Sequence, residues 1–495
     1  MELSRSLATR AMLAIALMVG YYVLAIGVCV ALLWVPYAEY TYLNRLDFRI
    51  ALACLVGAAT ILFAIVPRPD RFTAPGPQLT SSTAPQLFAM IDDVASATSQ
   101  PRPTEVYLLN EVNAFVTQRG GTMGIGSRRV MGVGLPLMNH LTRSELKAVI
   151  AHEFGHYSGG DVSLGPWIYK TRAAIGRTLA GLEESFLQSL FNWYARMFMR
   201  LTMAVSRQQE FVADETAARV AGAAPMVSAL QKVALLSPAY STYLQHEVLP
   251  ILRSGFLPPI ADGFRRFMAS PGTAEAFTEM VRQHEAETTV DQFETHPPLN
   301  ERVAALERLR LAHIDQVQET SAPLLGNADL QARLLLEHSA GDDQIRQLNE
   351  IRWEDVAEKV YADQWSQIAK AHAQWFGSLT VDNLPAGKRA YVDMGKELRN
   401  EGEMLVGSDE ALPRAVHVMI AGLGSALLTA GWHAETGPGR PVEVRRGDAS
   451  VIPVQVIGRL VENADTFKEW KAQCDALGIT GLPLAATADA APMTT

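Results

Sequence analysis

His152 and His156 stand one helical turn apart, with Glu153 beside the first, in "VIAHEFGHYSGGD" (149–161). Two imidazoles at i and i+4 lie on one face of a helix and can be offered to a single ion. Glutamate beside the first histidine is placed to take a proton from a water that zinc acidifies and to pass it to a leaving amine. With 11 histidines among 495 residues, chance yields this pattern somewhere with a probability on the order of one per cent, so its setting must decide. The chemistry it indicates is metal-assisted hydrolysis.

Such a site needs a stable helix and a third donor. Thr142 and Glu145 form a T-x-x-E capping box, and Leu146, Val149, Ile150 and Phe154 supply an apolar stripe, so a helix runs from there to about Tyr157 and stops at Gly159 and Gly160. Short strands are expected before it at "EVYLLN" (105–110), "NAFVTQ" (113–118) and "RRVMGVGLPL" (128–137). For the third donor, "SRQQEFVADETAARV" (206–220) offers Glu210 and Asp214 at E-x-x-x-D spacing. One carboxylate would bind the ion and the other would steady a ligand histidine through its outer N–H. The same spacing equally describes a solvated acidic face, and spacing alone leaves both readings open.

The chain around these elements begins in a membrane. Residues 11–34, "AMLAIALMVGYYVLAIGVCVALLW", and 50–66, "IALACLVGAATILFAIV", are free of charge and long enough to span, with Trp34, Tyr37, Tyr40 and Tyr42 between them as interfacial aromatics. Arginines flank both runs nearly evenly. An even number of spans with the amino terminus inside returns the remainder to the cytoplasm. Residues 67–86, rich in Pro, Ser and Thr, read as a linker. The segment 185–205 is apolar and aromatic, but Arg196 and Arg200 argue against a third span; a buried amphipathic helix or one lying on the membrane surface fits it. Residues 418–431 are too short to span and read as a core helix, 353–376 as an amphipathic helix, and 443–460 as strand. The division expected is a transmembrane hairpin over 1–72, a catalytic domain over 73–330 and an accessory domain over 331–495. The fold class is α+β and mainly helical, with a small edge-strand sheet in the catalytic domain and an α/β accessory domain.

The formal charge of −9 provides no basic footprint, nothing in the sequence suggests nucleic acid, and no nucleic-acid partner is expected. Three cysteines, at 29, 54 and 474, are too few for a disulfide framework or a cysteine zinc cluster and read as packed free thiols.

Four blocks, "NAFVTQ", "LTRSELKAVIAHEFGHYSGGD", "SRQQEFVADETAA" and "THPPLNERVAAL", occur in this order. Together they resemble the membrane metallopeptidases that include the HtpX-type quality-control proteases and the CAAX prenyl proteases, over about 85–310. The resemblance implies one zinc per chain on His152, His156 and Glu210, with Glu153 as general base, Asp214 behind the ligands and Asp161 as a weaker candidate for the same work. It implies substrate pairing along Asn113, Ala114 and Phe115, backbone to backbone. His296 matches a position near the active site, where it would donate a hydrogen bond to an oxyanion; a turn residue capping the helix from Leu299 is the competing reading. The chain departs from the HtpX pattern in the interval between His156 and Glu210, where such proteins carry extra spans. It also lacks the further spans that enclose a chamber in the CAAX enzymes.

The function this supports is a membrane-anchored zinc endopeptidase of the bacterial inner membrane, acting on polypeptides such as misfolded membrane proteins beside the bilayer. A dedicated processing protease is the alternative within the enzyme class. An inactive membrane scaffold is the alternative outside it, and the intact set of ligands and Glu153 argues against that.

Overall fold

The computed structural model describes residues 2–66, 68, 72–120, 126–157, 164–183, 185–287, 297–312, 314–340, 347–398 and 408–484. The chain divides into two compact units: 1–238 with 276–339, and 239–275 with 340–495.

In the first unit, α1 (Glu2–Leu43) and α2 (Phe48–Ile65) form an apolar hairpin. Asp47 caps α2, its carboxylate accepting from the Arg49 and Ile50 amides at 2.8 and 3.3 Å. Asn44 turns the chain with a positive φ of 49°, a conformation asparagine tolerates well. Only 28% and 22% of the most apolar windows of the two helices are buried within the protein. The remainder, including Val23, Val30, Leu55 and Phe63, faces outward. Helices satisfy all their backbone groups internally, so an apolar surface on this backbone suits hydrocarbon. Both helices are long and apolar enough to cross a membrane.

The segment read as a linker carries more structure than its composition suggests. Gln78–Leu79 forms a short strand, β1, and Pro85 starts α3 (Pro85–Ala97). With β2 (Glu105–Leu109), β3 (Ala114–Arg119) and β4 (Arg128–Gly134), β1 makes a four-stranded sheet in the order β1-β2-β4-β3. β2 and β4 are parallel, and the other two pairings are antiparallel. β3 is therefore an edge strand, paired only to β4 among the described residues, with Phe115 opposite Gly132. The expected third strand ends early: at Leu135 and Pro136 the chain turns into α4 (Leu135–His140). The sheet delivers the chain to α5 (Arg143–Gly155). Then follow α6 (Leu164–Gly181), α7 (Phe186–Ala221) and α8, which begins at Ala223. The segment 185–205 is thus the first half of one long helix. A short helix, Leu299–Glu307, returns to the first unit.

The second unit has its own core, with Trp365, Phe376, Tyr391, Trp432 and Trp470 around the helix Ser408–Thr429. That helix is also apolar enough to span, but 56% of its most apolar window is buried, about twice the share in α1 or α2. It is a core helix. Part of 443–460 is strand, in a three-stranded antiparallel sheet over His433–Gly437, Arg440–Arg446 and Ala449–Val451; from Pro453 the chain is helical. The expected helix over 353–376 is interrupted by a π-helical turn at Ala357–Tyr361.

Candidate metal centre

The capping box at the start of α5 is complete. Thr142 Oγ1 accepts from the Glu145 amide at 3.2 Å, and the Glu145 carboxylate accepts from the Thr142 amide at 2.7 Å. The helix ends at Gly155, earlier than expected, and His156 occupies the cap position; Gly159 and Gly160 lie outside the described residues. Gly155 is where α5 meets α7. A Cβ on it would stand 2.7 Å from the Ala213 Cα, so only glycine lets the two backbones approach this closely. That approach sets the histidines of one helix against the carboxylates of the other.

His152 is buried, His156 half-buried and Glu210 buried, and one donor atom from each lies within 4.8 Å of the others. His152 Nε2 is 3.5 Å from Glu210 Oε2, and His156 Nε2 is 3.7 Å from Glu210 Oε1. Donors about 2.0–2.1 Å from a tetrahedral zinc stand about 3.3 Å apart, so two imidazoles and a carboxylate at these separations fit such an ion with little adjustment. Behind them, His152 Nδ1 lies 3.0 Å from Asp214 Oδ1. At that distance a carboxylate can steady the outer nitrogen of a metal-binding histidine. Asp214 is in turn gripped by Arg302, whose Nε and Nη2 donate to its two oxygens at 2.8 and 2.6 Å. Arg302 Nη1 also lies 3.3 Å from Glu210 Oε2.

The electrostatics follow from this packing. Burial opposes charge on His152, yet the Asp214 and Glu210 carboxylates prevail and raise its pKa to about 9. Burial also opposes the Asp214 charge, but Arg302 and His152 hold its carboxyl below the usual range. Glu153 is half-buried, and its charge is felt by both His152 and Arg302. The arrangement gathers nitrogen and oxygen donors at one point with an acid–base group beside them. It can hold a cation and move a proton next to it.

The edge strand is tied to this centre by Tyr157, whose hydroxyl donates to the Val116 carbonyl at 2.9 Å. The Arg129 guanidinium lies 4.3 Å from the Tyr157 ring centre. Asn113 precedes β3 and accepts from the Gly134 amide at 2.8 Å, while Ala114 and Phe115 are its first residues. Asp161 and His296 lie outside the described residues. Two neighbours of the site were not singled out from sequence. Arg302 sits in the fourth block, four positions into a helix, where a buried cation facing two acids leaves no periodic signal. Tyr157 directly follows the second histidine, and only the sheet's position shows what its hydroxyl meets.

An apolar helical hairpin, a sheet whose edge strand pairs on one side alone among the described residues and a two-histidine, one-glutamate cluster on packed helices define a membrane-anchored metalloprotease. Residues 81–310 match the family described as peptidase family M48. A protease HtpX homolog of Thermodesulfovibrio yellowstonii is 28% identical over 262 residues, 47% of this chain and 78% of that one. Protease HtpX of Mannheimia succiniciproducens is 27% identical over 252 residues, 46% and 75% of the two chains. Protease HtpX homolog 2 of Methanosarcina mazei is 28% identical over 255 residues, 48% and 76% of the two chains. No solved structure matches. Over this region the chain is similar to the HtpX-like M48 membrane metallopeptidases.

Proposed function

We propose that this protein is a zinc endopeptidase of membrane-protein quality control, acting on misfolded membrane proteins beside the bilayer that anchors it. Residues 1–72 form the anchor, with two spans that leave the catalytic domain, 73–330, in the cytoplasm of a bacterial cell; 331–495 are an accessory domain. The observation that carries this reading is the convergence of His152, His156 and Glu210 within 4.8 Å, in the same compact unit as the apolar hairpin.

His152, His156 and Glu210 hold the ion, one per chain. When bound, zinc supplies the Lewis acidity that activates water and polarises a scissile carbonyl. Glu153 takes the proton of the attacking water and hands it to the leaving amine. Asp214, clamped by Arg302, fixes the His152 ring so that Nε2 faces the ion. An extended substrate pairs with the open edge of β3 at Asn113, Ala114 and Phe115, a mode that tolerates many side chains. Asp161 assists the ligands, and His296 donates to the oxyanion that develops on the substrate.

The experiment is cleavage of an unfolded protein by the detergent-solubilised enzyme, wild type against Glu153→Gln, with zinc measured in both. The expected loss is about 10²–10⁴-fold in rate at unchanged zinc content, the range for a general acid–base group. Zinc in both and cleavage by neither would set general proteolysis aside in favour of a dedicated substrate.

A further inference from the structure

The helices between the histidines and Glu210 pack onto the apolar hairpin in a register that fixes their depth. The Tyr194 hydroxyl donates to the Leu17 carbonyl at 2.6 Å, and the Tyr21 and Thr178 hydroxyls are 2.7 Å apart. Tyr21, Ala25, Cys29, Ala58 and Ile61 share one core with Ile175, Leu182, Phe191 and Phe198. Arg177 Nε and Nη2 donate to the Ala64 carbonyl, in the last turn of α2, at 3.0 and 2.8 Å. One turn further along α6, a Cβ on Gly181 would stand 2.5 Å from Thr60 Cγ2, one turn deeper in α2. The turn between α6 and α7 therefore lies alongside the apolar interior of α2.

From that turn α7 climbs back with an outward face of changing character. Phe186 is 84% exposed, Leu190 39% and Trp193 57%. They recur at i, i+4 and i+7 and form one stripe. No charge occurs between 186 and 195; the stripe then continues as Arg196 and Arg200, both exposed. Apolar residues, then tryptophan, then arginines is the order that acyl chains, interface and lipid phosphates select. Glu183, exposed in the turn, opposes a full crossing.

We propose that α6 and α7 form a re-entrant wedge that enters one leaflet beside the C-terminal end of α2, with Phe186 and Leu190 among acyl chains and Arg196 and Arg200 at the phosphates. The occupant of this face is phospholipid. The proposal rests on the anchoring of α1 and α2 in a bilayer, and it gives α7 a second role. One unbroken helix carries both the wedge and Glu210. From Arg200 to Glu210 is about ten residues, or about 15 Å of helix, so the metal centre is held within that distance of the phosphate plane. A bilayer-anchored substrate covers that gap with about five extended residues. The wedge is thus a ruler that sets how far from the membrane a polypeptide is cut.

The test uses the full chain in vesicles of phosphatidylcholine and phosphatidylglycerol, with Cys29, Cys54 and Cys474 replaced by alanine. Single nitroxide-labelled cysteines are placed at Val30, Phe186, Trp193, Arg200 and Glu215. Relaxation by oxygen, which partitions into lipid, is compared with relaxation by a water-soluble nickel chelate. The expected result is severalfold preference for oxygen at Val30 and Phe186, an intermediate value at Trp193, and a growing preference for the chelate at Arg200 and Glu215. A Phe186 label as open to the chelate as Glu215, beside a lipid-exposed Val30, would overturn the wedge alone. A water-exposed Val30 would overturn the anchor and the wedge together.

Discussion

Glu145, near the start of α5, and Glu210, which α7 brings against its other end, are both buried acids facing a cation, yet their oxygens are used differently. Glu145 Oε1 lies 2.5 Å from the Ser228 hydroxyl, while Oε2 accepts from the Thr142 amide and from Lys232 Nζ, both at 2.7 Å. Burial raises its pKa, but Lys232, Ser228 and Thr142 outweigh that and hold it below the usual range. The oxygens of Glu210 instead face two imidazole nitrogens at 3.5 and 3.7 Å, too far apart for good hydrogen bonds and suited to sharing an ion. The comparison separates a buried acid whose oxygens are met by donors from one whose oxygens could share an ion with their neighbours. In the first, donors meet acceptors directly; in the second, several acceptors converge on a common point.

The strongest way to break this contrast is to remove the cation from the functional cluster. Arg302→Leu strips buried Asp214 of its guanidinium and leaves His152 as its remaining neighbour of opposite charge, which costs about 3 kcal/mol in chemical denaturation. It also loosens the His152 ring, so zinc affinity falls about 10–100-fold in a chelator competition.

A third acid, half-buried in the second unit, sharpens the contrast from the other side. Burial raises the Glu247 pKa to about 7, with the Gly439 amide, 3.3 Å away, opposing the rise, and the Tyr361 phenol is coupled to its charge. The folded carboxyl keeps its proton to about pH 7, while the unfolded one releases it near 4.5. Between those values the folded state binds more protons, so stability falls as pH rises, by at most about 3 kcal/mol. Glu247→Gln removes this dependence: its thermal midpoint should match wild type at pH 5 and exceed it at pH 8.

Close approach of the two helices is the subtler requirement. Gly155→Ala drives a methyl into the Ala213 backbone and costs about 2 kcal/mol. The same displacement spreads the donors, and zinc should bind more weakly while the capping box at the other end of α5 stays intact.

How much of this was legible in the sequence varied with the range of the interaction. His152, Glu153, His156 and the capping box are local patterns on one helix, and their placement on it could be read from spacing. Glu210 and Asp214 had the right spacing as well, but only the packing of α7 on α5 through Gly155 brings them to the histidines. Arg302 and Tyr157 act through contacts with distant segments, so nothing periodic marks them. The segment 185–205 shows the same limit. Its arginines argued against a span, and its depth beside Thr60 and Leu17 emerges only from helix packing. β1 was hidden in a Pro-rich stretch because a two-residue strand has no alternation to display.

The most direct test of the central claim is the zinc content of the purified full chain, measured by mass spectrometry for wild type, Glu145→Gln and Glu210→Gln. About one zinc per chain is expected in wild type and in Glu145→Gln, and less than about a tenth of that in Glu210→Gln. Equal zinc in Glu210→Gln and wild type, or loss of zinc from Glu145→Gln alone, would contradict the assignment of the converging cluster as the metal centre.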